Sequence, residues 1–256
     1  MKKAVLAMAA AVALGGMEPV RAAEIDDAKR MGAEEMNPGG TLGCRERAAG
    51  GDFRVLVYGN SIALHGRAPK LGWHGDWGMA ASARERDFAH LVIAGLEAHR
   101  GQKADYRIRN IALLERNYRT NLTEFAELAA DAAYAPDYVV IAVGENVPVV
   151  GETDKPDYTR FLAALAKPLA ESAKRPPVVM RAPFWRNPAK AECTARAAAE
   201  TGSVYVDAGP LGDSEENMAL GLFEHKGVAK HPGDLGMRRL ADLILAGFGL
   251  TRQAGI

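Results

Sequence analysis

Phe53-Arg54-Val55-Leu56-Val57-Tyr58-Gly59-Asn60-Ser61 is the stretch on which the fold turns. Apart from Arg54, its first six residues are apolar, aromatic or β-branched, which reads as a buried strand. The strand stops at Gly-Asn-Ser and is followed by turns rather than by a second strand. A strand ending there delivers the Ser61 hydroxyl to the C-terminal edge of a sheet, where open α/β sheets place their sites. A helical turn starting at the same point would also aim the Ser61 N–H at whatever the hydroxyl attacks. The plainer alternative is that Ser61 only caps that turn.

Working outward, apolar runs and helical spacings alternate along the chain. Strands are expected at 106–111, 137–143, 177–181 and 203–207; the run at 137–143 is apolar enough for a central parallel strand covered on both faces. Helical patterns occupy 84–99, 120–133, 157–173, 189–201 and 235–248. Pro168 should kink or split the third of these, Gly202 should stop the fourth, and Asp234 is placed to cap the last. Strict alternation predicts an α/β fold, a parallel sheet of about five strands flanked by helices with right-handed crossovers.

The first 22 residues have the pattern of a secretory signal peptide. Met1-Lys2-Lys3 is a positive n-region, 4–14 is a short apolar run, and Val20-Arg21-Ala22 offers small residues at a cleavage site. The run is too short to span a bilayer well, and no other stretch approaches transmembrane length. A periplasmic or secreted protein is expected. Residues 23–51, polar and punctuated by glycine, read as an N-terminal arm; 52–256 read as one α/β domain. Thirty-two Lys and Arg balance 32 Asp and Glu, so charge gives no argument for nucleic acid or an anionic membrane as partner. The two cysteines, Cys44 and Cys193, could pair in an oxidising compartment or remain separate half-buried thiols.

Three strand ends meet on one edge: Ser61, the neighbourhood of Asn110, and Asn146. Serine needs an adjacent base to act as a nucleophile, and His231, on a loop fixed by Pro232, is the candidate. An acyl-transfer transition state also needs donors for its developing oxyanion; the Asn146 amide and the Ser61 N–H could supply two. Activity would then rise with pH through a histidine ionisation.

Gly59-Asn60-Ser61, Gly144-Glu145-Asn146 and His231-Pro232 before a closing helix resemble, in order and spacing, the blocks of the SGNH (GDSL-like) hydrolases over nearly the whole chain after the leader. The resemblance implies a flavodoxin-like three-layer α/β/α sandwich, ester hydrolysis, Ser61 as nucleophile and Asn146 in the oxyanion hole. Exported members often remove acetyl groups from polysaccharides. Two positions depart from the pattern. Glu115 stands five residues after Asn110, where the family has a glycine whose N–H joins the oxyanion hole, and Val228 stands where it has an aspartate. His231 would therefore be oriented by another carboxylate, such as Glu224, or by a backbone carbonyl.

Other residues carry weaker expectations. Trp73 and Trp77 lie in a glycine-rich, non-periodic segment that suits a sugar-binding loop or a plug on the domain. With Asn60 and Glu145 they are the expected substrate-binding set. Arg116 could bind a substrate carboxylate or hydroxyl, and Glu115, Arg116, Asn110 and Glu224 are possible supporting residues. His65, shortly after Ser61, could line the pocket. Glu224, His225 and His231 match no standard metal-ligand spacing, and no phosphate-loop or dinucleotide fingerprint is present, so neither metal nor cofactor is implied. The expected partner is a small-molecule or polysaccharide ester. Three functions fit: a secreted serine esterase, an acyltransferase to a sugar hydroxyl using the same residues, and a non-catalytic envelope carbohydrate-binding protein.

Overall fold

The computed structural model describes residues 45–124 and 126–250. The leader, Cys44 with any disulfide it forms, and most of the arm lie outside the described residues. Six strands form one sheet: β1 (Arg45–Ala48), β2 (Phe53–Gly59), β3 (Ala104–Asn110), β4 (Tyr138–Ala142), β5 (Val178–Arg181) and β6 (Val204–Val206), in the order β1-β3-β2-β4-β5-β6. All neighbours pair in parallel except β1, which runs antiparallel to β3, with Arg45 opposite Arg109. The five parallel strands therefore have the flavodoxin-like order, and strand order reverses between β2 and β4. The sixth strand corrects the sequence reading, which placed 45–48 in the arm. Arg-Glu-Arg-Ala carries no strand-like apolar pattern; it forms an edge strand through backbone pairing.

Helices cover both faces: α1 (Phe88–Arg100), α2 (Ala112–Arg116), α3 (Ala126–Ala133), α4 (Lys155–Ala170), α5 (Pro188–Thr201), α6 (Gly209–Gly212), α7 (Lys226–Ala229) and α8 (Asp234–Gly247). Alternation along the strands divides the core. Val55, Val57, Val140 and Val179 pack with Leu96 of α1 and Leu240 of α8, while Leu56, Tyr58, Ile141 and Met180 pack with Leu162 of α4 and Ala197 of α5. Leu56 is wholly buried; its truncation to alanine would cost about 2–5 kcal/mol. Two-sided burial explains why the central strands read as continuous apolar runs.

Helix ends follow local chemistry. Asp87 caps α1 by accepting from His90 N at 2.8 Å, Asn187 caps α5 by accepting from Lys190 N at 3.0 Å, and Gly202 ends α5 with φ of 66°. Pro168 does not split α4: it lies in the last turn, where few intrahelical bonds remain to be lost. Asp234 does not cap α8. Gly233 holds that position, and the Asp234 carboxylate accepts instead from Ser82 N, Ser82 Oγ and Arg86. Among the described residues no helix is long and apolar enough to cross a membrane.

Candidate active site

The chain leaves β2 through a turn with little room. A Cβ on Gly59 would stand 2.4 Å from that of Ala63, so only glycine lets the turn close here. The Ala63 and Leu64 N–H groups donate to Asn60 O, and Ile62 N donates to Asn60 Oδ1 at 3.1 Å. This turn leaves Ser61 partly exposed at the point where strand order reverses. Its N–H has no hydrogen-bond partner among the described residues.

Ser61 Oγ lies 2.8 Å from His231 Nε2, and His231 Nδ1 lies 2.8 Å from Gly227 O. A carbonyl only accepts, so Nδ1 carries the hydrogen and Nε2 presents its lone pair to the serine hydroxyl. The histidine loop is tied down by Ala219 N donating to His231 O at 2.9 Å and by His231 N donating to Val228 O at 2.9 Å. Trp185 stands edge-on to the imidazole, 5.3 Å between ring centres, with its indole N–H donating to Lys230 O at 3.3 Å. Burial, with a smaller contribution from nearby His65, brings the His231 pKa down to about 4.

Across the switch point, the loop after β4 rests on a buried polar cluster. Gly144 has φ of 124°, and a Cβ there would stand 2.6 Å from Pro183 and 2.7 Å from the Tyr158 hydroxyl. Glu115 is fully buried: Oε2 accepts from Asn146 Nδ2 at 2.9 Å, and Oε1 accepts from Gly144 N, Asn146 N and Asn60 Nδ2. Asn60 Nδ2 also donates to Glu145 Oε2 at 2.7 Å. Glu145 Oε1 accepts from Phe184 N and pairs with Arg181, both at 2.8 Å. Lys190 Nζ supports the loop from the other side, donating to Gly144 O at 2.9 Å and Val147 O at 2.5 Å.

The two carboxylates titrate apart. Burial, then the charge of Glu145, pushes Glu115 up to about 7. Burial also works against Glu145, but Arg181 beside it and its hydrogen bonds hold it below the usual range. Burial likewise lowers Lys190.

Ser61, Asn146 and His231 share a cleft of about 230 Å³ with His65, Met79 and Arg116. Two larger hollows, of about 310 and 540 Å³, lie beside β1 and between α4 and α5 and contain no serine–histidine pair.

Several expectations are corrected. Of the two ways to orient His231, the structure takes the backbone carbonyl: Glu224 is exposed, and the His231 Nδ1 hydrogen goes to Gly227 O. Asn60 and Glu145 do not face substrate; both side chains are spent inside the buried cluster. Trp73 is 3% exposed, packed against Phe223 and against the edge of Trp77, whose indole N–H donates to Ala81 O. The loop contributes Leu71 and Met79 to the cleft, not its tryptophans. Asn110 borders the cleft but is buried, donating to Leu64 O and accepting from Ala112 N. Arg116 is exposed on the cleft wall.

Trp185, Lys190 and Arg181 escaped the sequence reading. A charged residue closing the apolar strand Val178-Val179-Met180-Arg181 signals a buried partner; nothing in the pattern marks the other two.

No protein-family model and no curated protein sequence matches the chain. Among solved structures it is similar to a carbohydrate esterase family 2 enzyme of Corynascus thermopiles (Myceliophthora fergusii), at 15% identity over 79% of this chain and 68% of that one, TM-score 0.46. It is also similar to a lipase from a goat rumen metagenome (12%, 78% and 99%, TM-score 0.47). A third is a salicylyl-acyltransferase from a tetracycline biosynthetic pathway (16%, 77% and 54%, TM-score 0.43).

Proposed function

We propose that this protein is an exported serine esterase that removes acyl groups, O-acetyl above all, from a carbohydrate. The observation that carries the reading is the Ser61–His231–Gly227 chain, in which a buried neutral imidazole accepts from the serine hydroxyl and is fixed in that tautomer by a carbonyl. Export rests on the leader at 1–22.

Ser61 Oγ attacks the acyl carbon while His231 Nε2 takes its proton. The oxyanion is met by the Ser61 N–H and by the second hydrogen of Asn146 Nδ2, whose first is held by Glu115. The tetrahedral adduct collapses as His231 returns the proton to the departing alcohol. Water then attacks the acyl-serine with His231 as base, the carboxylic acid leaves and Ser61 is regenerated. The Glu115 N–H donates to Ile111 O within its helix, and the part of its side chain is to fix the Asn146 amide. In place of a carboxylate, the imidazolium formed in each half-reaction is stabilised by the Gly227 carbonyl dipole.

The test is acetate release from peracetylated and natural acetylated sugars by wild type and Ser61→Ala. Release that requires Ser61 supports the reading; equal release by both proteins overturns it.

A further inference from the structure

We infer that the ester this cleft takes carries a carboxylate near its scissile bond, and that Arg116 recognises that group; the inference builds on the Ser61 esterase reading. Arg116 occupies the last turn of α2, is exposed, and lines the cleft that holds Ser61 and His231. Several arginines elsewhere are neutralised locally, Arg119 by Asp154 and Asp157, Arg186 by Asp213 and Arg181 by Glu145. The Arg116 side chain has no hydrogen bond or ion pair among the described residues. Arg67, Arg175 and Arg238 have no ion pair among the described residues either, but Arg116 is the arginine that lines the cleft. The remaining ionisable side chains lining the cleft are His65, His225 and His231, and no carboxylate lines it.

The acidic residues beneath the cleft do not cancel this bias. Glu115, the preceding residue, points into the core, where its oxygens are engaged by Gly144, Asn146 and Asn60. Neighbours in a helix do not share a face, so Glu115 is turned away from the Arg116 side of α2. Glu145 is paired with Arg181, and Lys190 adds a second buried cation to the cluster. The cleft surface is therefore basic although the chain as a whole has no net charge.

A guanidinium presents its donors as a planar fork that matches the two oxygens of a carboxylate, a match that a neutral sugar hydroxyl cannot reproduce. A substrate held at both the ester and the carboxylate is oriented for attack at two points. Acylated hydroxy acids and acylated acidic sugars fit this chemistry; neutral acetylated sugars leave Arg116 unused.

The experiment compares kcat/KM for 4-acetoxybenzoate and its methyl ester, which differ in one carboxylate on the alcohol side. The pair mono-4-nitrophenyl adipate and its methyl ester places the charge on the acyl side. Wild type should prefer the charged member of at least one pair by about tenfold or more, the scale of a charge-assisted hydrogen bond. In Arg116→Gln that ratio should fall close to one, and in Arg116→Lys, which keeps the charge but loses the fork, it should be intermediate. A wild-type ratio of one or less for both pairs overturns the inference, as does a preference that persists in Arg116→Gln. Calorimetric binding of 4-acetoxybenzoate to Ser61→Ala separates the two readings. Arg116-dependent binding without Ser61-dependent turnover of any ester would sink the esterase and leave the carboxylate site. Ser61-dependent turnover with no charge preference would do the reverse.

Discussion

Beneath Asn146 the protein buries two carboxylates, a guanidinium and an ammonium in one hydrogen-bonded cluster, whereas around His231 it sets a tryptophan ring and a single backbone carbonyl. The two sides of the cleft hold their functional groups by different means. On the asparagine side, position is specified by polar partners, and removing one strands buried charge at a cost of about 3–5 kcal/mol. On the histidine side, packing and a carbonyl fix the ring, and desolvation keeps it neutral. On the proposed esterase reading, burial and a carbonyl set the tautomer that an acid on the histidine would otherwise set. The consequence is a weaker base that stays competent to lower pH.

The largest effects should come from breaking the histidine side. His231→Ala should lower kcat by roughly 10⁴–10⁶, as losing the base of a serine hydrolase does, while circular dichroism stays native. A loss of less than tenfold would remove His231 from the chemistry. Asn146→Ala should lower kcat by roughly 10²–10³, the loss for one oxyanion donor; unchanged kcat with a shifted melting temperature would make it structural. Glu115→Gln puts an amide N–H against groups that already donate, so kcat should fall by roughly 10–100-fold through a misplaced Asn146, with KM little changed. If KM rises and kcat holds, the cluster shapes the binding wall rather than the oxyanion site. Smallest of all, Glu224→Gln should change kcat by less than about twofold, because its carboxylate is exposed and the imidazole Nδ1 is held by Gly227 O; a loss of orders of magnitude, as tautomer control by a carboxylate would give, would erase the contrast between the two sides.

Strands β2, β4 and β5 were legible because burial on both faces writes itself as apolar runs, and each of these three leads to a residue of the cleft or the cluster beneath it. β1 was not, because a four-residue edge strand is held by backbone bonds that ask little of its side chains. Gly-Asn-Ser, Gly-Glu-Asn and His-Pro were legible as separate blocks, and folding brings them to one cleft. What could not be read was direction. Asn60 and Glu145 sit beside partly exposed site residues yet point inward, and Trp73 lies in a glycine-rich loop yet folds into a small core of its own with Trp77 and Phe223. Polarity and glycine content mark a segment as irregular without saying which side chains its turns bury. The missing aspartate at Val228 left a carboxylate such as Glu224 or a backbone carbonyl to orient His231, and the carbonyl of Gly227, a group any residue supplies, takes the role.

The pH dependence of Ser61 phosphonylation by a fluorophosphonate tests the central claim most directly, since it reports the ionisation of the base in the free enzyme. Neutral imidazole accepts the proton, so the rate is lost as pH falls through the His231 pKa. That acid limb should have its midpoint near pH 4, where burial places the imidazole, and it should persist in Glu115→Gln, which removes the other group titrating nearby, at about 7. An adduct absent from Ser61, a rate unaffected by His231→Ala, or a midpoint near 6.5 that survives Glu115→Gln would contradict the account.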